Sequence, residues 1–391
     1  MKVLIVHNYY KQPGGEDNVF AAEAKLLRQC GNDVVEYTDK NKRIDNMNPI
    51  YSAASTLWSK NSKRKISELI ERTKPDIAHF HNTFLLISPS AYYACKEANV
   101  PVIQSLHNPR LLCPAASFYR SGAPCDDCLG KNPPWPGILH ACYHNSRVQT
   151  AIVASMLTLH RWLKTWEKKV DTYIVFTEFY KRKFIEGGLP GDKIAIKPHF
   201  LDPDPGCRAH GPGDYALFVG RFDEVKGIYT LLNAWKHTKN IPLKIVGRGD
   251  LGGDIKNYLS KNPSIPIEII GQLGKRKVFE FMKNARFLIW PSEGYYETFG
   301  LVAIEAFACG VPVIASRIGT LAENVKDGHT GLHFTPGDAE DLSAKVNWAW
   351  SNPDKMTQMG RTARKEYETR YTAEKNYKML LDIYERALSK K

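Results

Sequence analysis

Long apolar runs are absent from this sequence of 391 residues. No uncharged apolar stretch approaches the roughly 18 residues that a membrane-spanning helix requires. The first residues are apolar, but the chain turns polar at His7 and Asn8, which is too early for the apolar core of a secretory signal peptide. We therefore expect residues 3–6 to form a buried strand and the protein to be cytoplasmic.

Cysteine is also scarce, and 8 cysteines in a chain of this length do not make a disulfide scaffold. We expect four isolated ones to be unreactive thiols: Cys30, Cys95, Cys207 and Cys309. The other four lie close together in the sequence: Cys113, Cys125, Cys128 and Cys142. A Cys-x2-Cys pair with two outlying thiols suits a structural zinc ion, with His140 and His144 as substitute ligands. A disulfide or redox pair and unrelated thiols are the two alternatives.

Positive charge is in excess and is unevenly distributed. The net charge is +13, and residues 1–200 hold 27 Lys and Arg against 18 Asp and Glu, whereas the remainder holds 27 against 23. A basic surface can serve nucleic acid, an anionic membrane or a phosphate-bearing substrate, or it can simply be solvated. No zinc-finger, helix-turn-helix or RNA-binding motif accompanies the charge, so we expect no nucleic-acid partner.

Short apolar runs alternate with segments of helical periodicity along the whole chain. The runs are residues 3–6, 77–80, 102–105, 173–176, 216–219, 243–246, 267–270, 287–289 and 311–315. Buried strands that alternate with amphipathic helices predict parallel sheets covered on both faces. Ligands bind beyond the carboxyl ends of such strands, so residues that directly follow a strand are the candidates for chemistry.

A dense group of Pro and Gly between Lys197 and Tyr215 indicates a connection between two domains. We predict an N-terminal Rossmann-like domain over residues 1–198, with a cysteine-rich insert at 108–145, and a C-terminal one over residues 213–370. Residues 371–391 are predicted to form a helix that packs back on the first domain. Residues 151–169 read as one helix with a basic end, for which internal packing is favoured over a membrane-surface or lipid-acceptor role.

The strongest functional signal is the segment PSEGYYETFGLVAIEAFACGVP at residues 291–312. A helix predicted to begin near Thr298–Phe299 would place Glu297 at its start and Glu305 two turns further on. The free N–H groups of Thr298, Phe299 and Gly300 would then suit a diphosphate, and the carboxylates would suit hydroxyls of a sugar and a ribose. Two solvated or capping glutamates on a buried helix are the alternative.

A second signal is VGRFDEVKG at residues 219–227, which directly follows the first strand of the second domain. Arg221 offers a planar fork and Lys226 a point charge, and both suit phosphate oxygens. Cations at this place would stabilise a leaving diphosphate as its charge develops. An Arg-x4-Lys pair is common on protein surfaces, so the segment is weak evidence when taken alone.

Together these segments resemble retaining glycosyltransferase family 4, which has the two-domain GT-B fold with two parallel sheets that face each other across a cleft. The matching segments are PSEGYYETFGLVAIEAFACGVPVIAS, VGRFDEVKG, the turn Gly247-Arg248-Gly249, and an N-terminal strand followed by Gly14-Gly15-Glu16. They occur in the family's order over nearly the whole chain. The resemblance implies transfer of a sugar from a nucleoside-diphosphate sugar to a glycan, lipid-linked or small-molecule acceptor.

The resemblance also implies a role for each matching residue. Arg221 and Lys226 would hold the donor diphosphate, Glu305 the ribose hydroxyls and Glu297 the hydroxyls of the sugar. The other donor-binding residues would be Gly14, Gly15, Gly247, Gln272, Leu273, Thr298, Phe299 and Gly300. His107 matches the family's cleft histidine and joins Arg221, Lys226 and Glu297 as a catalytic candidate. For His79, His81 and Asn82 a structural role is favoured over one on the acceptor side.

No Asp-x-Asp pair stands where a metal ion would bridge the diphosphate, because Asp202-Pro203-Asp204 falls in the linker. We therefore expect a reaction that needs no metal or other cofactor, with structural zinc the one ion expected. The resemblance implies attack from the same face, since no carboxylate nucleophile of the glycosidase kind is evident. A nucleotide-sugar epimerase and a non-catalytic nucleotide-sugar-binding protein are the alternatives. Peripheral contact of the N-terminal domain with the inner face of a membrane is a further expectation.

Overall fold

The computed structural model describes residues 1–11, 14–208, 211–295 and 297–389. The chain divides into two compact units. The first unit contains Met1–Phe118, Asp126–Pro198 and Asn376–Lys391, and the second contains Tyr119–Cys125 and His199–Lys375. None of the helices that the structure describes combines the length and hydropathy required to span a bilayer.

Fourteen strands and sixteen α-helices make up the described chain. The strands are β1 (Lys2–Tyr9), β2 (Asp33–Lys40), β3 (Ile77–Asn82), β4 (Val102–Ser105), β5 (Tyr119–Arg120), β6 (Ala123–Pro124), β7 (Thr172–Val175), β8 (Ile194–Ile196), β9 (Tyr215–Val219), β10 (Leu243–Val246), β11 (Ile267–Gly271), β12 (Ala285–Trp290), β13 (Val313–Ser316) and β14 (Gly331–Phe334). The helices are α1 (Gly15–Gln29), α2 (Pro49–Leu57), α3 (Lys60–Thr73), α4 (Ser90–Glu97), α5 (Trp135–Leu139), α6 (Arg147–Trp162), α7 (Thr165–Lys168), α8 (Glu178–Glu186), α9 (Ile228–Trp235), α10 (Gly252–Lys261), α11 (Lys275–Asn284), α12 (Leu301–Ala308), α13 (Gly319–Asn324), α14 (Ala339–Ser351), α15 (Pro353–Arg370) and α16 (Ala373–Leu388).

The first unit contains a six-stranded parallel sheet in the order β2-β1-β3-β4-β7-β8. Val3–Val6 and every residue of β3 and β4 are buried, which agrees with the apolar runs that predicted them. The order of the strands reverses between β1 and β3. In open α/β sheets a ligand crevice forms at such a reversal, so the loops after β1 and β3 flank the expected site.

The second unit repeats this architecture with the order β11-β10-β9-β12-β13-β14. Its order reverses between β9 and β12, and these two strands pair along Ala216–Phe218 and Phe287–Ile289. The loops that follow β9 and β12 therefore start side by side at the carboxyl edge of the sheet. The α/β class and the two parallel sheets confirm the predicted fold class.

The C-terminal helix α16 packs on the first unit, as predicted. Its Tyr384 hydroxyl lies 2.8 Å from His79 Nδ1, and Asn376 Oδ1 accepts a hydrogen bond of 3.0 Å from Lys197. The helix begins at Ala373, and its residues from Asn376 onward belong to the first unit. The chain thus returns to the unit in which it begins.

Two expectations about the insert and the helix after it are wrong. The insert does not belong wholly to the first unit, because the hairpin formed by β5 and β6 is part of the second. A Cβ at Gly294 would lie 2.7 Å from the Tyr119 ring, so this hairpin packs closely on the loop after β12. The single helix expected over 151–169 is two helices, α6 and α7, separated at Lys164 by a left-handed residue with φ 52°.

Candidate functional site

The loops after β9 and β12 pack directly against each other in the second unit. Gly227 has φ 69°, and a Cβ there would come within 2.0 Å of the carbonyl oxygen of Pro291, so this position requires glycine. The backbone N–H of Glu293 donates to the carbonyl of Val225 over 2.9 Å. The motif VGRFDEVKG and the segment that begins with Pro291 therefore form one surface.

Lys226 and Glu297 form an ion pair at this surface, Nζ to Oε1. Only 16% of the Lys226 side chain and 14% of the Glu297 side chain are exposed. Trp290 Nε1 and Ser292 Oγ each lie 3.4 Å from the same carboxylate oxygen and donate to it. Burial alone would raise the pKa of Glu297, but the charge and hydrogen bond of Lys226 outweigh it and hold the pKa below its ordinary value. The carboxylate is therefore ionised and ready to accept from hydroxyl groups.

Arg221 lies on the same loop and is far more open to solvent. Its side chain is 57% exposed, and Nη2 lies 3.1 Å from Oδ2 of Asp223. Asp223 also accepts a hydrogen bond of 3.1 Å from the backbone N–H of Lys226, which caps the short helical turn of residues 224–226. Asp223 thus contacts the guanidinium of Arg221 and the backbone of Lys226, so one carboxylate links the two basic residues of the motif.

The helix after β12 starts later than predicted. It begins at Leu301 rather than near Thr298–Phe299, because Gly300 adopts φ 85°, which lies outside the right-handed helical region. A Cβ at Gly300 would lie 2.0 Å from the Trp290 ring, so this position requires glycine. Thr298–Gly300 are therefore loop residues, and Glu297 lies in the loop before the helix instead of at its start. The N–H groups that a helix start leaves without intrahelical partners are then those of the turn that begins at Leu301.

Glu305 lies within α12, and its surroundings differ from those of Glu297. Burial raises its pKa to about 7, an effect that Lys275, with Nζ 4.0 Å away, partly offsets. The sequence predicted a carboxylate at both positions, Glu297 for the hydroxyls of the sugar and Glu305 for those of the ribose. The structure separates them into an ionised group paired with a lysine and a group that titrates near neutral pH.

The turns after β10 and β11 extend the same edge of the sheet. Gly247 N–H donates to the Gly271 carbonyl over 2.9 Å, and Phe222 N–H donates to the Arg248 carbonyl over 3.0 Å. Gln272 and Leu273 follow β11 directly, with Gln272 exposed and Leu273 half-buried. The residues predicted to bind the donor in the second unit therefore occupy neighbouring loops at one edge.

In the first unit, the Gly14-Gly15 turn starts helix α1. The Asp17 carboxylate accepts a hydrogen bond of 2.9 Å from Gly14 N–H and lies 2.8 Å from His7 Nε2 at the end of β1. Gln12 and Pro13, just before the turn, lie outside the described residues. The turn is thus tied to the carboxyl end of β1, beside the strand reversal.

His107 and His81 line a pocket that is formed by first-unit residues. His81 Nδ1 lies 3.0 Å from His107 Nε2. His79 contacts Tyr384 and Ser105 instead, and Asn82 donates to the Asn8 carbonyl over 2.7 Å. Of the polar residues at the end of β3, His81 is therefore the one in contact with the candidate catalytic histidine.

Sequence reasoning missed several polar residues of this region. Asn108 Nδ2 lies 3.3 Å from Glu16 Oε2 and 3.2 Å from the Tyr10 hydroxyl. Burial raises the pKa of Glu16 to about 8, with Asp17 adding to the shift. Arg110, another residue of the pocket, places its guanidinium 4.1 Å from the centre of the Phe84 ring. The signal was present, since Glu16 completes the Gly14-Gly15-Glu16 motif and Asn108 follows His107.

The clustered cysteines do not form a disulfide among themselves. Among the described residues, a group of three side chains with ligand atoms within 4.8 Å of one another is formed by Glu23, His79 and His81, and not by the cysteines. Cys113 and Cys128 are buried in the first unit, whereas Cys125 belongs to the hairpin segment of the second. Zinc binding by the four cysteines stays a prediction.

Asp202-Pro203-Asp204, set aside in the sequence as a linker element, has a structural contact. Both carboxylate oxygens of Asp204 accept from Arg364, at 2.8 and 2.6 Å. Hydrogen bonds from Arg364 hold the pKa of Asp204 below its ordinary value. The Asp204 carboxylate is therefore paired with a residue of helix α15.

Comparison with known proteins extends over both units. Residues 13–205 match the model described as Glycosyltransferase Family 4, and residues 209–366 match the model of Glycosyl transferases group 1. An uncharacterised glycosyltransferase of Methanocaldococcus jannaschii is 35% identical over 178 residues, which are 45% of this chain and 50% of that protein. The sulfoquinovosyl transferase of Arabidopsis thaliana is 26% identical over 318 residues, 78% of this chain and 56% of that protein. The chain spans about half the length of the curated relatives it matches.

Solved structures share the fold. A glycosyltransferase from Rickettsia africae superposes with a TM-score of 0.73 at 18% identity, covering 99% of this chain and 98% of the other. Anabaena HepE in complex with UDP superposes with a TM-score of 0.69 at 16% identity, covering 98% and 99%. The two family models account for nearly the whole chain between them, and the fold matches these glycosyltransferase structures. The protein therefore belongs to glycosyltransferase family 4 and has the GT-B fold.

Proposed function

We propose that this protein transfers a sugar from a nucleoside-diphosphate sugar to a glycan, lipid-linked or small-molecule acceptor, with retention of the anomeric configuration. The observation that carries the proposal is the Lys226–Glu297 ion pair beside the exposed Arg221, at the strand reversal of the second sheet. A related fold binds such a donor, since Anabaena HepE has been solved with UDP and with UDP-glucose.

In the proposed reaction, positive charges stabilise the leaving diphosphate, and hydrogen bonds hold the donor and the acceptor. As the bond from the anomeric carbon to the diphosphate breaks, negative charge grows on the diphosphate, and Arg221 and Lys226 stabilise it. Glu297 accepts hydrogen bonds from hydroxyls of the donor sugar, and Glu305 accepts from the ribose. His107 hydrogen-bonds the donor sugar and helps to place the acceptor. The acceptor attacks from the face that the diphosphate leaves, and the leaving phosphate takes its proton.

Two cations on one loop also support a reaction that requires no divalent metal. Arg221 and Lys226 together supply two positive charges against the diphosphate, which is the charge compensation that a metal ion provides in other enzymes. The test is a panel of nucleoside-diphosphate sugars, assayed for slow hydrolysis and for transfer with and without a chelator. Transfer that persists in chelator supports the proposal. Loss of transfer that magnesium or manganese restores contradicts metal independence.

The same assay separates the alternative functions. An epimerase would convert a nucleotide sugar into its epimer without any acceptor, and a binding protein would be stabilised thermally by a nucleotide sugar without consuming it. The anomeric configuration of the isolated product, measured by NMR, tests retention directly. An inverted product would rule out the proposed same-face attack.

Binding of the nucleoside diphosphate provides a first prediction. We expect Arg221→Ala and Glu305→Ala each to weaken binding of the free nucleoside diphosphate by about 1.5–3 kcal/mol, because each removes a hydrogen bond in which one of the two partners is charged. Isothermal titration calorimetry measures the loss. Arg276→Ala is the matched control, since Arg276 is an exposed arginine of the same unit that contacts Glu280 on its own helix. Unchanged affinity in both site variants, with the fold intact, would contradict the assignment.

Peripheral contact with an anionic membrane is a further part of the proposal. Helices α2 and α5 both pack against α6, and these three helices expose large apolar side chains, among them Ile50 (81% exposed) and Trp162 (76%). Residues 131–170 carry six Lys and Arg against a single acidic residue, Glu167. Exposed apolar side chains together with basic charge suit the inner face of a membrane.

Vesicle binding tests this contact. We expect the protein to co-sediment with vesicles that contain phosphatidylglycerol and to be released by high salt, and Trp162→Ser combined with Ile50→Ser should reduce binding severalfold. Tyr229→Ser is the control, because Tyr229 is an exposed aromatic residue of the second unit. Equal sedimentation with neutral and anionic vesicles would argue against the proposal.

Zinc in the insert remains a prediction. We expect about one equivalent of zinc per chain, held by the sulfurs of Cys113, Cys125, Cys128 and Cys142, and lower thermal stability in Cys125→Ser. Elemental analysis of untagged protein, paired with thiol titration under denaturing conditions, decides the matter. Eight reactive thiols and no zinc would show that the insert folds without the ion.

A further inference from the structure

A row of buried polar side chains lies behind His107 in the first unit. It contains Glu23 of α1, His79 and His81 of β3, and Lys197 after β8, and each of these residues is 0–2% exposed. Burial of polar and charged side chains costs free energy unless each of them has a hydrogen-bond or ion-pair partner.

One end of the row is an ion pair. Lys197 Nζ donates to Glu23 Oε2 over 2.7 Å and to Asn376 Oδ1 over 3.0 Å. Burial alone would raise the pKa of Glu23, but Lys197 and His79 outweigh it and hold the pKa well below its ordinary value. Glu23 is therefore a carboxylate, and it can only accept hydrogen bonds.

The other oxygen of Glu23 faces the two histidines. Oε1 lies 3.1 Å from His79 Nδ1 and 3.3 Å from His81 Nε2. His79 has other partners, since Nδ1 is 2.8 Å from the Tyr384 hydroxyl and Nε2 is 2.8 Å from Ser105 Oγ. Glu23 Oε1 and His81 Nε2 have no well-aligned hydrogen bond to any described group. A proton on His81 Nε2, shared with the carboxylate, gives both buried atoms a partner.

His81 has only one ring proton to place. Burial lowers the pKa of His81 to about 3, so the ring is neutral, with one nitrogen a donor and the other an acceptor. If Nδ1 held the proton, the lone pair of Nε2 would face the carboxylate of Glu23. The carboxylate therefore selects the proton on Nε2, which leaves Nδ1 as an acceptor 3.0 Å from His107 Nε2.

We propose that Glu23 and His81 are positioning residues that hold His107 as its Nε2–H tautomer. The use of this tautomer in the reaction rests on the proposed function, whereas the tautomer itself rests on the contacts of His81 with Glu23 and with His107. Lys197 keeps the carboxylate charged, and His79 contacts the same carboxylate without reaching His107. Lys197, Glu23 and His81 thus set the position of the proton on the His107 ring from the interior of the unit.

Glu23, His79 and His81 also carry the kinds of atom that bind metal ions. Glu23, His79 and His81 are a group of ligand type within the described residues, but the ammonium of Lys197 already lies 2.7 Å from the carboxylate. A buried divalent ion would stand next to this positive charge, which opposes its binding. We expect purified protein to hold no metal at these residues. A stoichiometric metal that is lost in His79→Gln would overturn the proposal.

The tautomer can be measured without any substrate. In full-length protein labelled with ¹⁵N-histidine, we expect long-range proton–nitrogen spectra to show His107 Nε2 as the protonated nitrogen and Nδ1 as the unprotonated one. A His107→Gln variant assigns the signals. His81→Gln should produce a mixture of tautomers at His107, and His79→Gln should leave them unchanged. A protonated Nδ1 in the wild type would overturn the proposal.

Kinetics provide the second readout. We expect His81→Gln to lower kcat about 10–100-fold with little change in the KM of the donor, as is usual for residues that orient a site group. His79→Gln is the matched control, because it removes an equally buried histidine from the same strand and the same carboxylate. We expect its kcat to stay within about threefold. Equal losses in both variants would indicate a purely structural role.

A second variant tests the proposal in case His81→Gln does not fold. The double variant Glu23→Gln, Lys197→Met removes the ion pair without leaving a lone buried charge, and it should also give mixed tautomers at His107. If the wild type transfers no sugar from any donor, the proposed function fails, but the nitrogen spectra still decide the tautomer. If transfer occurs and the spectra show a protonated Nδ1, the positioning proposal fails alone.

Discussion

Replacing Lys226 with alanine should lower kcat about 10²–10³-fold, because the leaving diphosphate loses a fixed cation where its charge develops. Lys226 is held in place by Glu297 and by the Asp223 cap of its own turn, so it is oriented before the donor arrives. The measurement is turnover at saturating donor, with the thermal midpoint of each variant recorded alongside. Single-turnover kinetics separate the transfer step from release of the nucleoside diphosphate.

A structural effect of this substitution must be distinguished from the catalytic one. Lys226→Ala leaves Glu297 without its ion-pair partner, which costs stability by itself. Lys326→Ala is the matched control, because Lys326 also pairs with a glutamate of the second unit, at 3.1 Å from Glu366. We expect the control to keep its turnover. A Lys226→Ala variant that turns over within fivefold of the wild type would remove Lys226 from the proposed mechanism.

Replacing Lys197 with alanine should destabilise the first unit by about 3–5 kcal/mol, because it leaves the buried carboxylate of Glu23 unpaired. Amide hydrogen exchange in β1 and β3 measures the stability of this unit alone. A single unfolding midpoint of a chain with two units would not separate the stability of one unit from that of the other. The control is Lys183→Ala, which removes a more exposed pair with Asp126 at 2.9 Å and should cost about 1 kcal/mol or less. The double variant Glu23→Gln, Lys197→Met should recover most of the loss.

This pair also gives a dependence on pH with a defined sign. The pKa of Glu23 is held well below its value in the unfolded chain, so its contribution to stability is present above the unfolded pKa. The contribution is lost as the pH falls through the depressed value. The wild type should therefore lose protection of β1 and β3 in acid, and the double variant should lose less. An identical acid profile in the two proteins would contradict the ion-pair account.

Local sequence patterns determined the parts of this protein that depend on local physics. Alternating apolar runs and amphipathic segments predicted the α/β class, because burial of a strand or of one helix face shows in the spacing of apolar residues. The two motif segments predicted loops at the carboxyl edge of the second sheet, because each directly follows a strand. The charge of Arg221 and Lys226 was enough to suggest a diphosphate.

Tertiary structure alone decided how these residues are paired. Lys226 and Glu297 are 71 positions apart, and Lys197 and Glu23 are 174 apart, so no periodicity links them. Glu23 falls on the apolar face of α1 with Phe20 and Leu27, which was a visible sign of a buried partner, but the sequence could not name that partner.

The start of α12 shows the same limit on a smaller scale. The sequence placed it near Thr298, but the Trp290 ring occupies the space of a Cβ at Gly300, and the helix begins only after that glycine. The hairpin at Tyr119–Pro124 likewise belongs to the second unit, because the ring of Tyr119 packs on Gly294. Periodicity records which face of an element is buried, whereas the identity of the neighbour depends on contacts between segments distant in the chain. The sequence therefore predicted the elements and the reactive groups, and the structure decided which of those groups meet.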